Sequence, residues 1–212
     1  MRSVLCVGVL LILAANQAEA QTCMGAPSLR EKPIQGGFTA SFIGERHELG
    51  GTLTAGNPSL FGSVGVLATH ISFLGTAPTL TVGVGTELPS SDHPVFTCPL
   101  FQVAFNSGPD FGPFETSSVG LRGGISVGAI VAETGGGTQL IPTFALAALF
   151  DRAKVSIADV ENTNAVWSGI ATFGVGILFN KNLSVIAALE IPFSAGDSAT
   201  GFSFRWVYGF GR

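Results

Sequence analysis

The clearest pattern in the chain is a strict alternation of aromatic residues with small or polar ones near its C-terminal end. Ser203, Arg205 and Gly209 stand between the aromatic positions of this stretch. Because alternate residues of a β-strand point to opposite faces, the pattern predicts one aromatic face and one polar face. The wall of a barrel in lipid needs that division, with aromatic residues at the bilayer interfaces outside and polar residues inside. The predicted aromatic membrane face consists of Phe202, Phe204, Trp206, Tyr208 and Phe210.

The same period of two recurs along the chain and predicts ten β-strands, with no convincing helix. Between 166 and 179, for example, Trp167, Phe173 and Val175 share one face, and Ser168 and Gly174 share the other. Most strands are close to the roughly 9–11 residues that a tilted strand needs to cross a bilayer. The predicted ranges are 37–45, 48–55, 59–72, 78–88, 95–106, 116–133, 138–151, 166–179, 183–193 and 200–211.

The connections between these strands differ in length. Those after even-numbered strands are tight and rich in turn-forming residues, as in Gly56-Asn57-Pro58 and Asn180-Lys181-Asn182. The first two odd-numbered connections are short, but we expect longer loops at Ser107–Glu115, Arg152–Ala165 and Ser194–Ala199. Short turns in the periplasm and longer loops outside are typical of a membrane barrel. The charged residues of Arg152–Ala165 make that loop a predicted surface-interaction site.

The predicted fold is an all-β, closed, antiparallel, up-and-down transmembrane barrel of eight to ten strands. Ten strands are slightly favoured over eight. Eight would require Phe38–Ala55 to form one strand and a loop, and one further strand to be lost. The weakest point is Glu45–Leu49, which fits either a turn or a bulge in one long strand.

The N-terminal end has the pattern of a secretory signal peptide. Arg2 precedes an apolar run, and Ala18-Glu19-Ala20 has the small-x-small form of a signal peptidase site. The apolar run is shorter than the roughly 20 residues of a spanning helix, so we expect cleavage after Ala20 rather than an anchor. The predicted organisation is a signal peptide at 1–20, a periplasmic N-terminal segment at 21–36 and the barrel domain at 37–212.

Composition agrees with membrane strands rather than membrane helices. Charged residues make up 11% of the chain, well below the roughly 25% of a soluble domain, and the mean hydropathy is +0.49. No later apolar run is long enough for a spanning helix. The net charge is −4, and the lysines and arginines are scattered, so nothing indicates binding of nucleic acid.

The mature chain would contain two cysteines, Cys23 and Cys98, because Cys6 leaves with the signal peptide. In an oxidising periplasm two cysteines most simply form one disulfide. A metal-binding pair is less favoured, since no histidine or further cysteine stands at ligand spacing. The predicted bond would tie the N-terminal segment to the periplasmic end of a strand.

Four charged residues are predicted to face the lumen: Glu87, Arg122, Glu190 and Arg205. The last two lie on adjacent strands of one hairpin, so we expect a cross-strand ion pair between them. Charges within a membrane barrel often mark a pathway. The interior of a small barrel is also filled by side chains that satisfy one another. Structural packing is the favoured interpretation, and a pore lining is the alternative.

One sequence pattern suggests catalysis. His70-Ile71-Ser72 resembles the His-x-Ser site of barrel lipid A deacylases. A catalytic triad also needs a carboxylate to orient the histidine, and Glu87 is expected at the far end of the next strand. We therefore predict no catalytic residue, no metal site and no cofactor.

The signal peptide, the amphipathic strands and the closing run Phe204-Arg205-Trp206-Val207-Tyr208-Gly209-Phe210 resemble the small bacterial outer-membrane β-barrel proteins of the OmpA/OmpX kind. Members of that family commonly end on an aromatic residue, whereas this chain continues with Gly211 and Arg212. The resemblance implies a bacterial outer-membrane location. It also implies outer-membrane lipid, periplasmic chaperones and the barrel-insertion machinery as partners.

The favoured function is a non-catalytic structural or surface-interaction role. A narrow pore for small solutes is the main alternative. A lipid-modifying enzyme and a soluble lipocalin-like binder are less favoured. The last of these would place the aromatic face around a ligand cavity inside the barrel.

Overall fold

The computed structural model describes residues 23–72, 75–89, 95–108, 114–157, 160–193 and 199–211. Within these ranges the chain forms ten long antiparallel strands, as the alternation predicted. Two-residue strands at Leu88–Pro89 and Ala132–Glu133 add to the sheet, and Cys23–Gly25 form one 3₁₀ turn. The long strands are β1 (Ile34–Ile43), β2 (Arg46–Asn57), β3 (Leu60–Ile71), β4 (Gly75–Gly85), β5 (Val95–Ser107), β6 (Phe114–Ala129), β7 (Gln139–Ile157), β8 (Val160–Phe179), β9 (Leu183–Phe193) and β10 (Gly201–Phe210).

The sheet closes on itself. Each long strand pairs with its neighbours in sequence, and β10 also pairs along its whole length with β1, from Ile34 opposite Phe210 to Ile43 opposite Gly201. Closure leaves no unpaired sheet edge, which a strand in lipid cannot tolerate. The end where β1 begins and β10 ends is called the terminal rim, and the other end the opposite rim.

The alternation in sequence becomes an alternation of exposure. On β10, Phe202, Phe204 and Trp206 expose 56%, 42% and 45% of their surface, whereas Val207 is buried. On β8, Phe173 and Val175 are exposed and Thr172 and Gly174 are buried. Large apolar side chains cover the outside on every one of the ten strands. The lipocalin-like alternative is therefore wrong, because the aromatic face lies outside the barrel.

Two turns show how local residues set the register. Gly44 has a φ of +54° in the two-residue connection between β1 and β2, so the region of Glu45–Leu49 contains a turn rather than a bulge. Asn180 and Lys181, with φ of +48° and +60°, connect β8 to β9. Two consecutive positive φ values define the type I′ turn, whose twist matches that of the flanking strands.

The prediction of a loop at Arg152–Ala165 is wrong. β7 and β8 are 19 and 20 residues long and pair from Gln139 opposite Leu178 to Ile157 opposite Val160. Residues 152–155 and 161–165 are exposed whichever way they alternate, so this part of the hairpin projects beyond the opposite rim. Backbone hydrogen bonds continue the ladder there, whatever the polarity of the side chains.

The barrel interior has an apolar region near the terminal rim. Phe96, Ile130, Ile141 and Leu178 form a buried apolar cluster there. Among the described residues, no helix is long and apolar enough to cross a membrane. The predicted signal peptide at 1–20 lies outside the described residues.

Candidate functional site inside the barrel

Residues 23–33, here called the plug, fold back into the barrel at the terminal rim. The 3₁₀ turn at their start contacts strands β5 to β9. Gly25 packs against two inward-facing residues, Gly176 of β8 and Ile186 of β9. The hydroxyl of Ser184 donates a hydrogen bond to the Gly25 carbonyl. A Cβ added to Gly176 would lie 3.0 Å from the Gly25 Cα, so the fit requires a residue without a side chain.

A disulfide joins the plug to the barrel wall. Cys23 is bonded to Cys98, an inward-facing residue of β5 that is 1% exposed. The predicted pairing is confirmed, and it links the N-terminal segment to the part of β5 near the terminal rim. Because Pro27, Ser28 and Leu29 are buried beyond the bond, the plug belongs to the barrel interior.

Glu87 holds the plug from the connection between β4 and β5. Its side chain is 2% exposed. The carboxyl accepts hydrogen bonds from the Leu29 N–H (3.2 Å) and the Ser28 hydroxyl (3.4 Å). Burial away from water raises the pKa of Glu87 to about 7, although both hydrogen bonds act in the opposite direction. Glu87 therefore lies beneath the plug and not along the lumen wall where the sequence placed it.

Further polar contacts fasten the plug around the rim. The Gln35 side-chain amide donates to the Pro27 carbonyl (2.6 Å). Lys32 Nζ donates to the Gly211 carbonyl near the end of the chain (2.9 Å). Lys181 in the turn between β8 and β9 pairs with Glu31 (3.0 Å). Residues distant in sequence thus hold the plug from several directions.

Above the plug, toward the opposite rim, the barrel encloses a polar cavity of about 450 Å³. Ile186 lines this cavity and also contacts Gly25, so it lies between the cavity and the plug. Threonine and serine side chains from several strands line the wall, together with Gln102. The charged lining residues are Arg46, Glu48, Arg122, Asp151, Glu190 and Arg205.

Three of the four predicted lumen charges, Arg122, Glu190 and Arg205, line this cavity. The expected ion pair between Glu190 and Arg205 does not form. The register places Arg205 opposite Ile186 and Glu190 opposite Gly201. Glu190 instead accepts a hydrogen bond from the Ser41 hydroxyl (3.3 Å) across β10.

Sequence reasoning missed three charged residues of the cavity. Arg46 and Glu48 form an ion pair at 2.5 Å on the inner face of β2. Asp151 on β7 lies within electrostatic range of both. Two sequence signals could have found them. Period-two alternation after a turn at Gly44 places Arg46 and Glu48 on the inner face of β2, and the same alternation along β7 places Asp151 inside.

The His70-x-Ser72 pattern does not assemble as a pair. His70 faces outward, and its Nδ1 is hydrogen-bonded to the Thr76 hydroxyl (2.9 Å). The Ser72 hydroxyl donates to the Glu45 carbonyl (3.4 Å). Nowhere in the described ranges do three histidine, cysteine or acidic side chains group as metal ligands.

No protein-family model and no curated protein matches the chain. Its fold is similar to three solved structures. The N-terminal β-barrel domain of Pseudomonas aeruginosa OprF is 8% identical at a TM-score of 0.42, covering 85% of this chain and 98% of that one. The β-domain of the Bordetella autotransporter BrkA is 11% identical at 0.44, covering 84% and 98%. The Acinetobacter baumannii outer membrane protein Omp33 is 9% identical at 0.36, covering 85% and 99%.

Proposed function

We propose that the protein is a bacterial outer-membrane β-barrel whose periplasmic end is closed by its own N-terminal segment. Its role is structural or surface-interacting, without catalysis and without an open pore. The plug is the observation that best supports this proposal. It is held inside the barrel by a disulfide, by the Glu87 hydrogen bonds and by several rim contacts.

The outer surface supports the membrane location. Along β8, outward-facing apolar residues run from Trp167 to Phe179. Twelve residue steps span roughly 40 Å along the strand and roughly 30 Å along the axis of a barrel tilted by about 40°. That height matches the hydrocarbon core of a bilayer. Ring pairs mark both ends of the belt, Phe150 with Trp167 and Tyr208 with Phe210, as expected at membrane interfaces.

Export and orientation follow from the same proposal. Residues 1–20 would direct export and be removed after Ala20, and the terminal rim would face the periplasm, where disulfides form. The partners would be outer-membrane lipid, periplasmic chaperones and the barrel-insertion machinery. Mass spectrometry of the protein from outer-membrane fractions should find Gln21 as the first residue. A mature chain that retains residues 1–20 would contradict the export step.

The surface role is supported by the hairpin that projects from the opposite rim. Lys154 and Glu161 pair across its two strands at 2.5 Å. Paired strands are more rigid than a loop of the same length, so the hairpin would present a defined surface outside the cell.

Heat-modifiable gel mobility followed by conductance in planar bilayers tests the proposal. The folded, oxidised protein should migrate differently from the boiled sample and should not conduct. A Cys23→Ser, Cys98→Ser double variant and a reduced sample should also not conduct, because the Glu87 hydrogen bonds and the rim contacts still hold the plug. Stable conductance of the oxidised protein would reject the plugged barrel. Unchanged migration and solubility without detergent would reject the membrane location.

A narrow pore is the second candidate, and the polar cavity of about 450 Å³ supports it. In that case the plug would act as a gate. Conductance that appears only after reduction of the disulfide would favour the gated pore. Absence of conductance in both redox states would favour the structural barrel.

A further inference from the structure

We propose that the cavity binds a small anionic solute, whose carboxylate or phosphate group lies between Arg122 and Arg205. The solute would enter from the opposite rim. This inference does not depend on whether the barrel conducts, because it concerns only the part of the lumen above the plug.

The first argument is that neither guanidinium has a partner. Arg122 Nε is buried without a hydrogen bond. Of the ion pairs between described residues, none includes Arg122 or Arg205. Buried charges in proteins are normally paired, and buried donors are normally hydrogen-bonded. Two arginines that share a cavity without an ion-pair partner therefore offer their N–H donors to an anion.

The second argument is electrostatic. Arg122 and Arg205 line the same cavity, and each repels the charge of the other. Glu190 attracts Arg205 but lies beyond ion-pair distance and accepts its hydrogen bond from Ser41. An anion placed between the guanidiniums would offset their repulsion and accept charge-assisted hydrogen bonds from both.

The third argument concerns size and selectivity. A volume of about 450 Å³ holds a small solute together with water. Asp151 lies opposite Gly120, one inward position closer to the opposite rim than Arg122. Glu190 lies opposite Gly201, two inward positions closer to that rim than Arg205. These acidic groups would repel a polyanion, so the site suits a solute with a single anionic group.

Calorimetric titration of the oxidised, folded protein in dodecyl maltoside, with inorganic phosphate and with acetate at constant ionic strength, tests this site. Saturable binding of at least one anion is expected. Arg122→Gln and Arg205→Gln should each weaken it by about tenfold or more. Arg152→Gln is the matched control, because it removes an exposed arginine of the projecting hairpin that does not line the cavity. The anion affinity of this variant should stay within about twofold of wild type.

Three results would overturn the proposal. The first is that neither anion binds saturably to folded wild type, and the second is that Arg152→Gln and Arg122→Gln lose affinity equally. The third is that phosphatidylglycerol added to the micelles competes with the anion. Competition would mean that the anion site is a lipid phosphate site on the outer face. Heat-modifiable mobility checks that each variant is folded. If a glutamine variant does not fold, Asp151→Asn provides a separate test, because removing that negative charge should tighten anion binding.

Discussion

The carboxyl group of Glu87 accepts a hydrogen bond from the backbone N–H of Leu29, which lies 58 residues earlier in the chain. The carboxyl is nearly inaccessible to water, so it favours the protonated form. Because this buried carboxyl holds the plug, the attachment of the plug is sensitive to pH.

The pKa of Glu87 rises from 4.5 to about 7 on folding. Below pH 4.5 the group is protonated in both the folded and unfolded states. As pH rises to 7, the unfolded state releases the proton first, so the free energy of unfolding falls by about 3 kcal/mol across this window. Denaturant unfolding at pH 5 and pH 8 should show that loss in wild type and much less of it in Glu87→Gln. Glu133→Gln, at an exposed position, should keep the wild-type difference. Parallel pH dependence in all three proteins would contradict the role of Glu87.

The disulfide should contribute strongly to stability, because it closes a loop with a sequence separation of 75 residues. Loss of the bond in Cys98→Ser should lower the free energy of unfolding by about 2–5 kcal/mol. Denaturant unfolding measures this change. Limited trypsin digestion gives a local readout, since Arg30 on the plug is exposed whereas Ser28 and Leu29 before it are buried. Cleavage after Arg30 should be faster in the variant, and equal rates would show that the plug remains in place without the bond.

Gly176 should be intolerant of a side chain. Its added Cβ would meet the backbone of Gly25 at 3.0 Å, so Gly176→Val should displace the plug and lower stability by about 1–3 kcal/mol. Gly62 is the matched control, because it lies on the outer face and a Cβ there meets nothing closer than 3.9 Å. Tryptic cleavage after Arg30 should increase in Gly176→Val and stay at the wild-type rate in Gly62→Val.

Charge on the outer belt should cost free energy according to depth. Phe204 lies near the middle of β10 and faces outward, whereas Phe193 ends β9 at the opposite rim. In liposomes, Phe204→Arg should lower the free energy of unfolding by about 2–4 kcal/mol, and Phe193→Arg by at most about 1 kcal/mol. Guanidinium unfolding in liposomes measures both. Equal, small costs would mean that the belt does not face hydrocarbon.

Strand number and wall orientation were predictable because they depend on local periodicity. The outward run from Phe202 to Phe210 is visible in nine consecutive letters of the sequence, and strand geometry alone converts it into a face. The disulfide was predictable for a similar reason, since residues 21–212 contain only two cysteines.

Predictions from local patterns were wrong where the outcome depended on which residues pair across strands. Arg152–Ala165 reads as a polar loop, yet its residues pair with one another and extend β7 and β8. Glu190 and Arg205 share a hairpin, yet the register separates them by two inward positions. A shift of register changes which side chains meet without changing the alternation, so composition alone cannot decide it.

The sequence by itself determined a closed barrel of about ten strands with an aromatic exterior, because backbone geometry sets which side of the wall each residue faces. Only the tertiary structure decided that residues 23–33 fill the terminal end of the lumen and that Arg122 and Arg205 share a cavity without partners. The sequence of the plug has no hydrophobic periodicity from which its position could be predicted. Its position depends on Glu87 and Ser184, which lie far away in the chain and come near it only when the barrel closes.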